Sequence, residues 1–129
     1  MSVRRIAALG AAVISSVLLL APAQAQAAGT CPSTYYCVFE NADYNGGRCA
    51  WSGTIANYVG WVSDTGSSCN DTTTSWMVRG TGGYSCILGY KHADYSLKIW
   101  QSALGGTDQT PGVPSYYNDV ATSHLWVLC

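Results

Sequence analysis

The motif NDTTTS at residues 70–75 recurs as NDVATS at residues 118–123, and this repetition decides the fold. Four of the six positions are identical, and the second copy follows the first by 48 residues. A shorter motif, ADY, occurs at residues 42–44 and again at 93–95, 51 residues later. Because both motifs keep the same order in each half, the sequence predicts two copies of one unit, at about 31–80 and 84–129.

The residues between these motifs favour short strands over helices. Aromatic and β-branched runs alternate with Gly, Asn, Ser and Thr, and no stretch has a convincing apolar period of 3.6. Each unit would hold four strands, too few to bury a sheet face alone, so we predict an all-β Greek-key sandwich of two four-stranded units. The predicted strands cover residues 35–40, 49–51, 58–62, 76–79, 86–90, 97–100 and 125–129, and 102–115 is a predicted surface loop.

The first 27 residues have the three regions of a secretory signal peptide. Two arginines precede an uncharged run at 6–21, and small residues follow as far as Ala27. The run has 16 residues, whereas a membrane-spanning helix needs roughly 20. We therefore expect cleavage after Ala27 and a secreted single domain at residues 28–129.

The charges and cysteines of the mature chain limit its partners and its compartment. Its 102 residues carry four Lys or Arg against seven Asp or Glu, a net charge of −3. This balance offers no basic surface to nucleic acid or to a membrane, so we expect neither as a partner. All six cysteines lie in the mature part, and an even count in a small exported chain predicts three disulfides.

The chain resembles the βγ-crystallin superfamily at two hallmarks. The first is an aromatic, four residues, a second aromatic, one residue and a glycine, found here as Phe39, Tyr44 and Gly46. The second is the Asn/Asp motif that ends in Thr-Ser, complete at both 70–75 and 118–123. Within the superfamily, the stretch CPSTYYCVFENADYNGG at 31–47 is similar to secreted actinobacterial peptidase inhibitors of the streptomycete metalloproteinase inhibitor type.

The resemblance gives structural roles to residues of the first hairpin. Gly46 supplies the positive φ that the folded hairpin needs, and the ring of Tyr44 covers the fold. The last serine of each Asn/Asp motif, Ser75 or Ser123, ties its loop to a hairpin.

The second hairpin departs from the hallmark. Tyr90 and Tyr95 match the two aromatics, but Leu97 stands where glycine belongs. A branched leucine is strained at positive φ, so we predict that this hairpin is opened or shifted.

A disulfide pairing follows in part from the resemblance. Close relatives imply the pair Cys31–Cys37, whose members flank a five-residue turn. Cys86 begins the first strand of the second unit and Cys129 ends the last, which favours Cys86–Cys129 and leaves Cys49–Cys69. Fifteen pairings are possible for six cysteines.

The two Asn-Asp loops are candidate calcium ligands. In the superfamily such loops bind calcium through carbonyls, the Asn/Asp pair and the hydroxyl at the fifth position, which are hard oxygens of the kind calcium prefers. The alternative is that Asn-Asp only forms Asx-turns. Lys91 stands opposite Glu40 in the repeat, and a cation there opposes metal binding. The implied ligands are Asp71, Thr74, Asp119 and Thr122, supported by Asn70, Asn118 and the carbonyl of Glu40.

Catalysis is not favoured, and we predict that the protein is not an enzyme. Disulfides would use every thiol, and His92 and His124 lie in positions typical of turn or surface histidines. Trp51 and Trp61 have polar neighbours and are candidates for a partner surface, while Trp76 is predicted to be core.

Three functions remain open. The resemblance implies a secreted proteinase inhibitor, although the small disulfide loop that carries the reactive segment of close relatives has no counterpart near Cys86. The second is a calcium-binding extracellular module that recognises a protein or glycan, or is a subunit of a secreted complex. The third is a small toxin of the killer-toxin type. The oligomeric state is left open.

Overall fold

A computed structural model describes residues 29–80, 84–102 and 107–129. The predicted leader at 1–27 and the glycine-containing stretches 81–83 and 103–106 lie outside the described residues. Within the described ranges no helix is long and apolar enough to cross a membrane.

The described part of the chain forms seven strands and one 3₁₀ turn. The first strand is buried on both sides because Tyr36 and Val38 face one layer while Cys37 and Phe39 face the other. The elements are β1 (Tyr36–Asn41), the 3₁₀ turn (Ala42–Tyr44), β2 (Asn45–Trp51), β3 (Ser75–Arg79), β4 (Tyr84–His92), β5 (Ser96–Gln101), β6 (Thr107–Thr110) and β7 (Ser123–Leu128).

The strands make two antiparallel sheets that exchange elements between the halves. The first sheet has the order β2-β1-β3-β6 and the second β5-β4-β7. β6 belongs to the second half but pairs with β3 of the first. In return, Ile55 of the first half forms a two-hydrogen-bond bridge with His124 of β7. Each half therefore completes the sheet of the other.

Two strand predictions were wrong, both in the third segment of a half. Residues 58–62 are a loop with a single bridge from Val62 to Ser68, because a turn at Gly60 interrupts the apolar run. Residues 102–115 are not all loop, since β6 lies inside them and pairs with β3 from Trp76 to Arg79.

The core lies between the two sheets and is largely aromatic. Tyr36, Tyr58 and Trp76 pack there with Ile87 of the second sheet. Trp51 is 3% exposed, so its assignment to a partner surface was wrong. Alternate residues of β2 point inward, and Trp51 is the last of that inward row, whatever the polarity of its neighbours.

Three disulfides bind the chain, and they are the pairs expected from the sequence. Cys31–Cys37 holds the segment before β1 against the outer face of the first sheet. Cys49–Cys69 closes the long connection between β2 and β3. Cys86–Cys129 joins β4 to the chain end beside β7. Removing one native bridge from so small a domain costs about 2–5 kcal/mol.

Candidate functional site

The first hairpin has the folded geometry expected of it. The ring of Tyr44 meets Phe39 edge to face, with centroids 5.8 Å apart. Gly46 has φ +78°. The Ser75 hydroxyl donates to the carbonyl of Asn41 at 2.6 Å and accepts from the N–H of Tyr44 at 3.1 Å. One buried serine therefore joins β3 to both ends of the 3₁₀ turn.

The second hairpin has the same geometry, so the prediction that it is opened or shifted was wrong. Tyr90 and Tyr95 meet at 5.9 Å, and the Ser123 hydroxyl donates to the His92 carbonyl at 2.6 Å. Leu97 adopts φ 59° in the place of Gly46. Its side chain is 58% exposed, so the left-handed backbone brings strain but no buried clash.

The two Asn-Asp loops cross and contact each other reciprocally. The Thr74 hydroxyl donates to Asp119 Oδ1 at 3.3 Å, and the Thr122 hydroxyl donates to Asp71 Oδ1 at 3.2 Å. The backbone repeats the exchange, since the Asp71 N–H donates to the Ala121 carbonyl at 3.1 Å. Each loop thus supplies a hydroxyl to one oxygen pair and a carboxylate to the other.

The asparagines of both loops orient the carboxylates. Asn70 Nδ2 donates to Asp71 Oδ2 at 2.6 Å, and Asn118 Nδ2 donates to Asp119 Oδ2 at 2.7 Å. Both aspartates have φ 55°, a left-handed conformation that Asp tolerates better than most residues. Among the described residues, no three His, Cys, Asp or Glu side chains converge in one metal-binding group.

The surroundings of the two oxygen pairs differ. Thr74 lies beside the end of β1 that carries Glu40, because its N–H donates to the Phe39 carbonyl at 2.9 Å. The Glu40 carboxylate accepts from the Gly47 N–H at 2.8 Å. Both residues of the second pair line a cleft of about 290 Å³, together with Asp119 of the first pair and a lysine. The cleft residues are Asp71, Lys91, His92, Asp119, Val120 and Thr122.

His124 is a core residue, contrary to the prediction of a surface or turn histidine. It is fully buried, with Nδ1 2.8 Å from the Tyr58 hydroxyl and Nε2 2.7 Å from the Gly53 carbonyl. Burial lowers the pKa of His124 to about 4, opposed by the Gly53 bond. The imidazole is therefore neutral near pH 7, donating from Nε2 and accepting at Nδ1.

The connection between β2 and β3 carries an exposed apolar group of which the sequence prediction named only one residue. Trp61, the other candidate for a partner surface, is 47% exposed and lies beside two exposed valines, Val59 and Val62. We name residues 59–62 the tip. A glycine within an apolar run signals a turn, and Gly60 was that signal.

A family comparison identifies the chain. The model of peptidase inhibitor family I36 matches residues 24–102, more than half of the sequence, and this part contains both hairpins, the tip and the first Asn-Asp loop. The chain belongs to peptidase inhibitor family I36. Membership implies that the protein inhibits a proteinase, has a proteinase as its partner, and is not itself an enzyme. A disulfide-rich inhibitor is consistent with secretion.

Solved structures show the same fold at low sequence identity. One, from work on the evolution of the eye-lens βγ-crystallin domain fold, is 14% identical with a TM-score of 0.60, covering 78% of this chain and 93% of the other. A βγ-crystallin domain from Clostridium beijerinckii is 20% identical with a TM-score of 0.53, covering 70% and 94%. At such identities the likeness concerns the fold alone. No curated protein matches the chain.

Proposed function

We propose that this I36 family member is a secreted inhibitor of an extracellular metalloproteinase and acts by forming a stable stoichiometric complex. The observation that carries the proposal is the family match over residues 24–102, which includes the stretch similar to metalloproteinase inhibitors. The stapled fold supports it. Three disulfides and a shared core hold the surface in one conformation, which limits the entropy lost when a partner binds.

Titration of an enzyme of known concentration tests this proposal. The mature, oxidised protein is added to thermolysin in rising amounts, with subtilisin as a comparison enzyme. We expect residual thermolysin activity to fall in a straight line to an end point near one inhibitor per enzyme, with subtilisin unaffected. Excess calcium and zinc are present throughout, so that removal of metal from the enzyme cannot imitate inhibition.

Two outcomes would contradict the proposal. The first is full thermolysin activity at a tenfold excess of the oxidised protein. The second is inhibition of equal strength by the reduced and alkylated protein, because that result would not require the folded surface.

We further propose that the Asn-Asp loops bind calcium and that the two sites differ in affinity. The crossed oxygen pairs favour this proposal, because each brings a carboxylate and a hydroxyl from different loops within 3.3 Å of each other. Calcium takes such oxygens, and its affinity falls with fewer charged ligands. Asp119, Thr74 and the Glu40 carbonyl would hold one ion. Asp71 and Thr122 would hold another more weakly, because the Thr122 N–H donates to the Tyr90 carbonyl next to Lys91, the residue that replaces Glu40 in the second half.

Melting curves in millimolar calcium and in chelator test the second proposal. A ligand that binds only the native state adds about 2.7 kcal/mol to the free energy of unfolding at a hundredfold excess over Kd. We expect Thr74→Val to remove more of the calcium-dependent shift than Thr122→Val. Thr72→Val is the matched control, because its hydroxyl donates to the Ser68 carbonyl within the same loop. Identical wild-type curves in the two buffers would leave the loops as turns.

A further inference from the structure

Exposed apolar side chains are concentrated at the tip. Val59 and Val62 are 66% and 65% exposed, and Trp61 lies between them. The other large exposed hydrophobic residues of the described chain stand singly, as Leu97, Tyr116 and Leu128. Single exposed apolar residues are ordinary, whereas a contiguous group marks an interaction site.

The N-terminal side of the tip is anchored in the core. Tyr58 is fully buried and stacks on Trp51 with centroids 4.5 Å apart and planes at 17°. Its hydroxyl bonds His124, and its N–H donates to the Thr122 carbonyl at 2.7 Å. The residue immediately before the exposed group is therefore held at ring, hydroxyl and backbone.

The C-terminal side is held by the disulfide-closed loop. The Cys69 N–H donates to the Trp61 carbonyl at 3.0 Å, and Cys69 is bonded to Cys49 of β2. Val62 forms a bridge with Ser68. The Trp61 ring packs edge-on against buried Trp51 with centroids 6.1 Å apart, which holds the indole in place while 47% of the residue stays exposed.

Between the anchors the backbone makes a tight turn. The Trp61 N–H donates to the Tyr58 carbonyl at 3.0 Å, and Gly60 has φ +89° at the third position, as a type II turn requires. The N–H and the carbonyl of Trp61 are thus both used internally. A peptide that pairs with an exposed strand edge must be extended. The tip could become extended only by breaking these bonds.

We infer that the tip is the inhibitory contact, and that Val59, Trp61 and Val62 enter an apolar side-chain pocket in the active-site cleft of the target proteinase. This inference rests on the proposed function. The tip bears no charge, and the next acid along the chain, Asp64, is paired with Arg48 at 3.5 Å. A rigid, uncharged, partly aromatic projection suits a desolvated pocket at the centre of an interface. The tip blocks the cleft by filling a pocket. Because its backbone is turned, it does not present an extended peptide bond for cleavage.

Lysine substitutions at the tip test the inference. The variants are Val59→Lys and Val62→Lys, with Leu97→Lys as the control, because Leu97 is a similarly exposed aliphatic residue and the added charge is the same. Lysine is preferred to aspartate because a carboxylate could itself ligate the zinc of a metalloproteinase. All three sites are exposed, and melting curves verify that each variant folds.

We expect each tip variant to raise the inhibition constant at least about thirtyfold, as loss of a central contact does, while Leu97→Lys stays within about threefold. Loss of inhibition in Leu97→Lys with retention in both tip variants would overturn the inference and place the contact on the second hairpin. If the wild-type protein inhibits only subtilisin and the tip variants abolish that inhibition, the tip is the inhibitory contact and the metalloproteinase proposal is refuted. A wild-type protein that inhibits neither enzyme would refute both.

Discussion

The two halves of the molecule agree closely in their hairpins and Asn-Asp loops and differ in their third segments. The paired residues Asp43 and Asp94 have φ 54° and 55°, and Tyr44 and Tyr95 have φ 61° and 60°. The third segment of the second half is the strand β6, which pairs with β3. In the first half the corresponding residues end at Ile55 and, in the described chain, form a single bridge to β7, and the disulfide-closed loop that follows them carries the tip.

This difference separates the part of the fold that is geometrically constrained from the part that is free to vary. The hairpins and crossed loops must keep the same geometry in both halves. Each motif serine bonds the hairpin of its own half, and each loop aspartate accepts a hydrogen bond from the other half. In the first half the third segment is anchored at Ile55 and Tyr58, and its only further bridge among the described residues is between Val62 and Ser68. The residues after Tyr58 can therefore expose apolar side chains without disturbing the shared core.

The largest expected effect concerns a cross-strand pair that the halves build differently. The first half pairs Val38 with Cys49, whereas the equivalent pair of the second half is Gly89 with Trp100. A Cβ at Gly89 would overlap the indole of Trp100. Gly89→Val, which copies the first half, should cost more than about 3 kcal/mol of unfolding free energy, at or beyond the usual range for overpacking.

Urea unfolding of Gly89→Val beside Gly112→Ala measures this effect. A Cβ at Gly112 meets nothing within 4 Å, so the control should remain within about 0.5 kcal/mol of wild type. Equal midpoints for the two variants would show that the second half tolerates the packing of the first.

The next effect is a pH dependence of stability. Trp76 and His124 occupy equivalent positions in the two halves, and only His124 titrates. The folded pKa of His124 is about 4, below its ordinary 6.5. Between these values the unfolded chain binds a proton that the native state does not. The His124 contribution is therefore complete above pH 6.5 and is lost as the pH falls to 4, a change of roughly 3 kcal/mol.

Unfolding free energies from pH 7 to pH 4 test this contribution against variants of the two histidines. His124→Gln should flatten the decline. His92→Gln is the matched control, because it removes the other histidine of the chain, which is exposed. If His124→Gln loses stability as steeply as the wild type, the acid sensitivity is due to the carboxylates instead.

A smaller effect compares the serines that tie each Asn-Asp loop to the hairpin of its own half. Ser75 serves both the Asn41 carbonyl and the Tyr44 N–H, and Ser123 serves the His92 carbonyl. Alanine at either position should cost about 0.5–1.5 kcal/mol of unfolding free energy, because partly buried backbone groups lose a hydrogen-bond partner. Thermal melting of both variants beside the exposed Ser52→Ala measures this. If both variants have the same Tm as Ser52→Ala, the serine hydrogen bonds are not needed for the hairpins to fold.

The repeated motifs predicted the parts of the structure that short-range geometry controls. The folded first hairpin follows from Phe39, Tyr44 and Gly46, and the loop contacts follow from two copies of one motif. The three disulfides also matched, since each pair closes within one half.

The failures concern burial and pairing that neighbours distant in sequence decide. Trp51 and His124 stand among polar residues but face the core, because their strands alternate about the layer between the sheets. β6 is the polar stretch TDQT and shows little strand character until β3 lies beside it. The run at 58–62 has the composition of a strand, yet its glycine turns it outward.

The smallest expected effect tests how far the second hairpin tolerates its leucine. A non-glycine residue in the left-handed region costs about 1–2 kcal/mol, and a glycine there costs about 0.5–1 kcal/mol in chain entropy. Leu97→Gly, which copies the first hairpin, should therefore stabilise the domain by about 0.5 kcal/mol and raise its Tm by about 2–4 °C. The reciprocal Gly46→Leu should destabilise it, because φ is +78° there and a Cβ would lie 2.6 Å from the Asn41 side-chain nitrogen. A lower Tm for Leu97→Gly would mean that the exposed leucine stabilises its hairpin by more than its backbone strain costs.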